Sequence, residues 1–420
     1  MAQTLDLTRN LPLVRGLTLS TVRNRPLHAV LLSGTGDAHR LLEPLRAALG
    51  GSGPAILPLD AALPAARLRE LIAAFDPNVV VDAAGEARAR SAASALRIEP
   101  DTAVIIGTSG STGAPKGVEL SAAALEYSAR ASLSRLGARP GERWLCCLPV
   151  SHVAGLQVLV RSLVSGTDPV VAPAATAAAL AASGCAHVSL VPTQLIRLLD
   201  ENGDGDGTAA LARFGSVLVG GAAAGAAVLE RARAAGIAVR TTYGMSETCG
   251  GCVYDGVPLD GVRVRADSGG RLRISGPVLM NRYHGRQDLT DQALRAGEFI
   301  TSDLGYVDDG RVVVRGRADD VINTGGHKVV PGEVAAALAT CPGVREAVVV
   351  GRTDPEWGER VTAIVVPVDP AQPPGLELLR MHVGARLPRY ACPSEVVLTE
   401  AIPVLPSGKP DLAALKEART

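Results

Sequence analysis

Thr108-Ser-Gly-Ser-Thr-Gly-Ala-Pro-Lys116-Gly117 is the stretch on which the reading of this 420-residue chain turns. It follows an apolar run at 103–107 and precedes a helical stretch that begins near Ser121. Glycines let backbone N–H groups turn toward a ligand, hydroxyls add donors, and Lys116 adds a positive charge. Such a set suits a polyphosphate, so Thr108, Ser109, Gly110, Ser111, Thr112, Gly113 and Lys116 are candidate nucleotide-binding residues. The loop is not a Walker A, because Lys116 follows Pro115 instead of standing in G-K-[ST]. Gly34-Thr-Gly36 lacks the third glycine of a dinucleotide fingerprint. A plain Ser/Gly linker does not belong between a buried strand and a helix.

Outward from this loop, short apolar runs alternate with Ala-rich helical stretches. Strands are expected at 28–32, 103–107, 144–148, 170–172, 187–191, 216–219 and 239–242, and helices at 38–49, 121–136, 174–182, 193–200 and 225–235. Continuous apolar strands with intervening helices predict an α/β fold with a parallel sheet covered on both faces. Ligands in such folds lie beyond the carboxyl ends of the strands. From Gly261 the pattern changes to two hairpins, one turning at Asp267-Ser-Gly-Gly270 and one at Asp308-Asp309-Gly310. After Arg317 it changes again, to a small α+β block with helices at 331–338 and 376–387 and strands at 347–350 and 361–368. A core rarely grows past ~250–300 residues, so two domains are expected. We divide the chain into a large domain, 1–318, made of stacked αβ sheets plus a β subdomain, and a small mobile domain, 319–420.

Composition removes several function classes. Forty-two basic residues balance 42 acidic ones, which gives no general attraction to nucleic acid or to anionic membranes. An anionic ligand must then be held locally. Only four lysines occur, Lys116, Lys328, Lys409 and Lys416, among 42 basic residues, so each is a chemical candidate. The seven cysteines form no disulfide framework, and Cys249-Gly-Gly-Cys252 lacks two further zinc ligands nearby; packed thiols are expected. Residues 169–194 carry no Asp, Glu, Lys or Arg, yet they are Ala-rich and broken by prolines, which predicts buried strand, helix and strand instead of a membrane span. No signal peptide is evident, so the expectation is a cytoplasmic protein without membrane insertion; homo-oligomerisation is left open.

With the loop in place, four further motifs resemble, in order and spacing, the adenylate-forming superfamily of acyl-CoA synthetases, luciferases and peptide-synthetase adenylation domains. The resemblance runs from about residue 103 to the end; the first hundred residues match weakly. Tyr243-Gly-Met-Ser-Glu247 is similar to the family's Tyr-Gly-x-Thr-Glu motif, with Ser246 in place of the usual Thr. The resemblance implies that Tyr243, with Gly244 and Met245, packs on adenine, that Ser246 reaches the phosphates, and that Glu247 binds Mg²⁺. It also implies an adenine-edge loop at Gly221-Ala222, a ribose site at Asp303 and Arg317, a hinge at Asp319 and a catalytic lysine, Lys409, in Leu405-Pro-Ser-Gly-Lys409.

The acid is read from Pro149-Val-Ser-His152-Val-Ala-Gly155 and from Arg161, nine residues after the histidine. These segments, with 190–195 and Gly250-Gly-Cys-Val-Tyr-Asp-Gly256, resemble 2-succinylbenzoate–CoA ligases of menaquinone biosynthesis. The resemblance implies that His152 lies near the carboxylate, that Gly250 lines the acid site and that Arg161 meets a second carboxylate, a partner suited to a guanidinium. Gly325 and Gly326 in Asn323-Thr-Gly-Gly-His-Lys328 would line the path of coenzyme A. The expected activity is a two-step ligation: ATP, Mg²⁺ and an aromatic carboxylic acid give an acyl-AMP, with Lys409 and Lys116 on the phosphates, and a coenzyme A thioester follows. The alternatives are an aryl- or fatty-acyl-CoA ligase of other specificity, a domain loading a carrier protein, and a non-catalytic nucleotide-binding protein.

Overall fold

The computed structural model describes residues 25–90, 96–109, 114–200, 206–405 and 409–417. Two seven-stranded sheets form the bulk of the molecule. The first runs, edge to edge, Arg282–Tyr283, Pro115–Ser121, Thr102–Ser109, Ala55–Asp60, Leu27–Leu32, Val79–Val81, Ala87–Ala89. The second runs Val257–Pro258, Gly250–Tyr254, Val239–Met245, Ser216–Val219, His187–Leu190, Trp144–Cys146, Val170–Val171. Helices Ala122–Leu136 and Val153–Val164 pack on each other, and the main apolar core joins residues of both sheets through them.

The expected parallel sheet needs correction. The first sheet has a parallel centre and antiparallel strands at both edges, and the second is parallel except for Gly250–Tyr254 and Val257–Pro258 at one edge. The chief cause is the segment after the glycine-rich turn. Pro115–Ser121 is a strand lying antiparallel to Thr102–Ser109, so the turn closes a hairpin and Lys116 stands on a strand. Ser121 then ends the strand and caps the next helix, its Oγ accepting from Ala124 N at 3.1 Å.

Val153-Ala-Gly-Leu-Gln-Val-Leu-Val-Arg-Ser-Leu-Val164 has no polar stripe, and residues 155–162 are all buried. A helix apolar all round belongs between layers. Gly155 is required there, because a Cβ would stand 2.3 Å from Pro149 O. Each buried Val or Leu of this helix contributes roughly 1.5–3 kcal/mol, enough to let it carry the buried polar residues Gln157 and Arg161.

A third sheet holds Arg263–Ala266, Arg271–Ser275, Glu298–Asp308, Leu294–Arg295 and Arg311–Arg317; the two expected hairpins lie in it. After the short turn Ala318–Asp320 a fourth sheet gathers Ile322–Thr324, His327–Val329, Val344–Asp354, Gly358–Pro367 and Glu395–Leu398 around a separate apolar core. Among the described residues no helix is long and apolar enough to cross a membrane. Residues 169–194 form two short strands and the helix Ala177–Ala182 before the helix Pro192–Asp200 begins. Gly207 opens the helix Gly207–Ala212 and is buried.

Candidate active site

The hairpin presents Thr108 opposite Lys116, and Thr108 Oγ1 donates to Lys116 O at 3.2 Å. Gly110, Ser111, Thr112 and Gly113, with the side chain of Ser109, lie outside the described residues. The Lys116 ammonium stands 5.7 Å from the centre of the Tyr283 ring. Tyr283, on the edge strand paired with Pro115–Ser121, donates its hydroxyl to Glu247 Oε1 at 2.7 Å. Burial and the Glu247 charge push this phenol well above its ordinary pKa, so it stays a donor. One tyrosine thus joins Lys116 to Glu247.

Behind this group, Glu119 is fully buried. It accepts from Thr102 Oγ1 at 3.1 Å, faces His284 Nδ1 at 2.8 Å and lies 3.2 Å from Arg282 Nε. Burial pushes its carboxyl up, but the His284 hydrogen bond, the Arg282 and His284 charges and the Thr102 hydroxyl outweigh that and leave it below the usual carboxylate value. This network locks the strand bearing Tyr283 to the hairpin bearing Lys116.

Tyr243 lies on Val239–Met245, at a register shift against Gly250–Tyr254. Gly244 allows the close pairing, since a Cβ there would stand 2.0 Å from Gly250 O. The Tyr243 hydroxyl donates to Asp303 Oδ2 at 2.7 Å, and Arg317 Nη1 is 3.8 Å from Asp303 Oδ1. Burial first, then Asp303, raises the Tyr243 pKa well above the phenol range. Met245 N donates to Thr248 Oγ1 at 2.9 Å, fixing the turn that carries Ser246 and Glu247. Gly221 and Ala222 follow the carboxyl end of Ser216–Val219, the parallel neighbour of the Tyr243 strand, with Gly221 at φ +85°.

His152 precedes the helix Val153–Val164. Burial, and the positive charge of Lys409, hold its imidazole below its ordinary pKa, while Asp60 opposes them. Lys409, 257 positions later in the sequence, is therefore close enough to act on His152. Its backbone carbonyl accepts from Leu405 N at 2.8 Å and its own segment is exposed; residues 406–408 lie outside the described residues. Gly250, at φ +91°, faces the first turns of the same helix, with Gln157 Cγ 3.5 Å and Val153 Cγ2 3.8 Å from where a Cβ would be.

Arg161 is buried, 6% exposed, not a solvated helix residue. Its guanidinium lies 4.2 Å from the centre of the Trp144 ring, and Nη2 donates to Ser189 Oγ at 3.0 Å. No carboxylate pairs with it among the described residues, and its Nε has no hydrogen-bond partner. Desolvation lowers its pKa from the ordinary arginine value, though an arginine remains charged.

Arg317 also pairs with Asp319 at 3.2 Å, in the turn Ala318–Asp320. Gly325 and Gly326 turn a hairpin, both at positive φ, and a Cβ on Gly325 would stand 2.6 Å from the Trp357 ring. His327 stacks on Tyr390 at 4.3 Å, while Lys328 is exposed. Among the described residues no hydrogen bond or ion pair joins this turn to the Tyr243–Asp303 group. All seven cysteines are free and buried, and among the described residues no group of three metal-ligating side chains gathers. Ser216, His187 and Glu142 are linked in series at 2.8 and 3.1 Å, with Ser216 2% and His187 3% exposed. A groove of about 380 Å³ between Arg197 and Arg345 holds none of the residues above.

Residues 92–284 match the model of the AMP-binding enzyme family, and residues 333–409 match the AMP-binding enzyme C-terminal domain. A probable 2-succinylbenzoate–CoA ligase from Mycobacterium tuberculosis is 44% identical over 381 residues, covering 87% of this chain and 95% of that protein. The chain belongs to the AMP-binding enzyme family. Among further members, a 2-succinylbenzoate–CoA ligase from Bacillus mycoides is 34% identical over 325 residues, covering 71% of this chain and 66% of that one. The structure of o-succinylbenzoate CoA synthetase from Bacillus subtilis, in complex with its acyl-adenylate intermediate, superposes with a TM-score of 0.70 at 26% identity, over 95% of this chain and 90% of that one. ATP-bound MatB from Rhodopseudomonas palustris shares the fold of this AMP-binding enzyme, with a TM-score of 0.80 at 23% identity over 94% and 89% of the two chains.

Tyr283, Glu119, His284, Asp60, Trp144 and Ser189 are not singled out by sequence motifs. The scarcity of aromatics, 3% of the chain, is the one signal that points to Tyr283 and Trp144 in advance.

Proposed function

We propose that this AMP-forming acid–CoA ligase activates 2-succinylbenzoate with ATP and passes the acyl group to the thiol of coenzyme A, in menaquinone biosynthesis. The observation that carries the choice of acid is Arg161, a buried cation without a carboxylate partner among the described residues. Leaving a charge buried and unpaired costs several kcal/mol, and a dicarboxylic substrate would relieve that cost with its second carboxylate.

Adenine stacks on Tyr243, with Gly221, Ala222, Gly244 and Met245 along its edge and the ribose hydroxyls on Asp303 and Arg317. The triphosphate lies along Thr108–Lys116 and Ser246. Glu247 fits a hard cation: Tyr283 occupies one carboxylate oxygen, and the other has no protein partner among the described residues. It would hold Mg²⁺, which neutralises charge on the phosphates. His152, its pKa lowered chiefly by burial, lies beside the reacting carboxylate, and Lys409 stabilises the charge that develops as the adenylate forms. Rotation about Asp319 then withdraws Lys409 and brings Gly325 and Gly326 to the pantetheine path. The supply of ATP and coenzyme A supports a cytoplasmic location.

The test is a thioester assay over a panel of acids, with wild type and Arg161→Met. The reading requires 2-succinylbenzoate to be the preferred acid and the variant to lose that preference. An equal rate with benzoate or a fatty acid, or an unchanged preference in the variant, would assign another acid. AMP release that needs a carrier protein instead of coenzyme A would assign the loading role.

A further inference from the structure

Arg161 is held in an unusual way. No carboxylate anchors it among the described residues; an indole face, the Ser189 hydroxyl and the Tyr254 hydroxyl do. Trp144 opens the strand Trp144–Cys146, pairs with His187, and is fully buried. The Trp144 Nε1–H has no acceptor, and neither has the Arg161 Nε–H. Two unmade donors therefore lie in one stacked pair. Buried donors are nearly always satisfied, so each needs an explanation. One turn before Arg161, Gln157 is 2% exposed and leaves its Oε1 without a donor. A carboxylate placed against the pair accepts from both donors, and one water can donate to that carboxylate and to Gln157 Oε1. Side chains on a helix lean toward its amino end. The guanidinium is thus set back toward His152, on the side where the reacting carboxylate lies.

We infer that Trp144 is a specificity-determining residue for the acid: its ring face orients Arg161, and its Nε1–H donates to the same distal carboxylate. The inference rests on the dicarboxylic substrate argued above. A guanidinium held by a π-face stays charged without a protein counter-ion, so its full pairing capacity is kept for the ligand. An acidic anchor would satisfy the cation in the empty enzyme and weaken the discrimination. A site built around buried donors rejects an acid that lacks the matching acceptor, because the donors are then left bare.

The experiment compares 2-succinylbenzoate with 4-oxo-4-phenylbutyrate, the same acid without its ring carboxylate, as a ratio of kcat/KM values. Trp144→Phe keeps a ring under Arg161 and deletes the N–H; it should lower the ratio about tenfold. Trp144→Leu removes the platform as well and should lower it by about a further tenfold. Equal losses with both acids, or an unchanged ratio, would reduce Trp144 to a packing residue. Arg161→Met separates the two layers of the argument. If it abolishes the preference while Trp144→Phe does not, the role of Trp144 fails and the acid assignment stands. If it leaves the preference intact, both fail.

A second readout leaves Trp144 in place. The chain has two tryptophans, so Trp357→Phe makes Trp144 the sole indole. Titration with each acid should shift its emission only with the dicarboxylic one. The same response to both acids, or none to 2-succinylbenzoate at saturation, overturns the hydrogen bond.

Discussion

Tyr283→Phe deletes one oxygen and leaves the ring beneath Lys116. The lost bond is short, 2.7 Å, and runs to a carboxylate, Glu247 Oε1. Hydrogen bonds to charged groups contribute about 1.5–3 kcal/mol net. Tyr283 is 6% exposed but Glu247 is half-buried, so water can replace part of the bond and the lower end applies. About 1.5 kcal/mol is close to a factor of ten in a binding constant. The freed carboxylate then samples rotamers that do not face the phosphates. The assay is acid-dependent ATP–pyrophosphate exchange at fixed ATP with Mg²⁺ titrated. Half-saturation by Mg²⁺ should rise about tenfold. The KM for the acid should stay within about twofold, since among the described residues no hydrogen bond joins Tyr283 to His152 or Arg161. The calorimetric Tm of the variant separates a positioning loss from a folding loss. Half-saturation within about twofold of wild type, with an unchanged Tm, would refute the idea that Tyr283 sets Glu247 for the metal.

Lys409→Ala should slow adenylate formation by roughly 10²–10³-fold and leave thioester formation from supplied acyl-adenylate nearly unchanged; equal slowing of both half-reactions, measured by rapid quench, contradicts a role confined to the first. Glu119→Gln should destabilise the chain by ~3–5 kcal/mol at pH 7, because Arg282 and His284 lose their buried partner. The folded-state pKa of Glu119 is depressed, so its contribution is complete above the ordinary carboxylate value and is lost as pH falls through the lowered one. Denaturant curves should therefore differ most at pH 7 and draw together as pH falls below the ordinary carboxylate range, and a gap that widens on acidification would invert the sign. Gly244→Ala places a Cβ 2.0 Å from Gly250 O and must push the paired backbones away from each other. Stability should fall by ~1–3 kcal/mol or more, read as a lower urea midpoint, and ATP affinity should fall with it because Tyr243 is the next residue. An unchanged midpoint would mean that the paired strands separate freely at this point.

Legibility differs along the chain for a physical reason. Glycine-rich loops, hydroxyl clusters and rare lysines carry their chemistry in a few consecutive residues, so the hairpin 108–117, the Tyr243–Glu247 motif and Lys409 stand out in the sequence itself. The helix Pro331–Leu338 and the strand Ser216–Val219 have the expected bounds, because apolar periodicity and the flanking Gly and Pro residues are local signals. The strand Pro115–Ser121 is not legible in this way, although it is seven residues long, because a strand beginning at Pro115 and carrying Lys116 and Glu119 shows no clean alternation. Its identity depends on the neighbour that pairs with it.

The amino-acid sequence alone determined which groups are candidates for the chemistry: a glycine- and hydroxyl-rich turn with its lysine, an acidic metal candidate and a terminal ammonium. Only the tertiary structure decided that Arg161 is buried against Trp144, that Tyr283 links Lys116 to Glu247, and that Lys409 acts on a histidine 257 positions earlier. Donor chemistry and backbone propensity are properties of a residue and its near neighbours. Burial, pairing and charge proximity arise between segments far apart in the chain, and they exist only once the layers have packed.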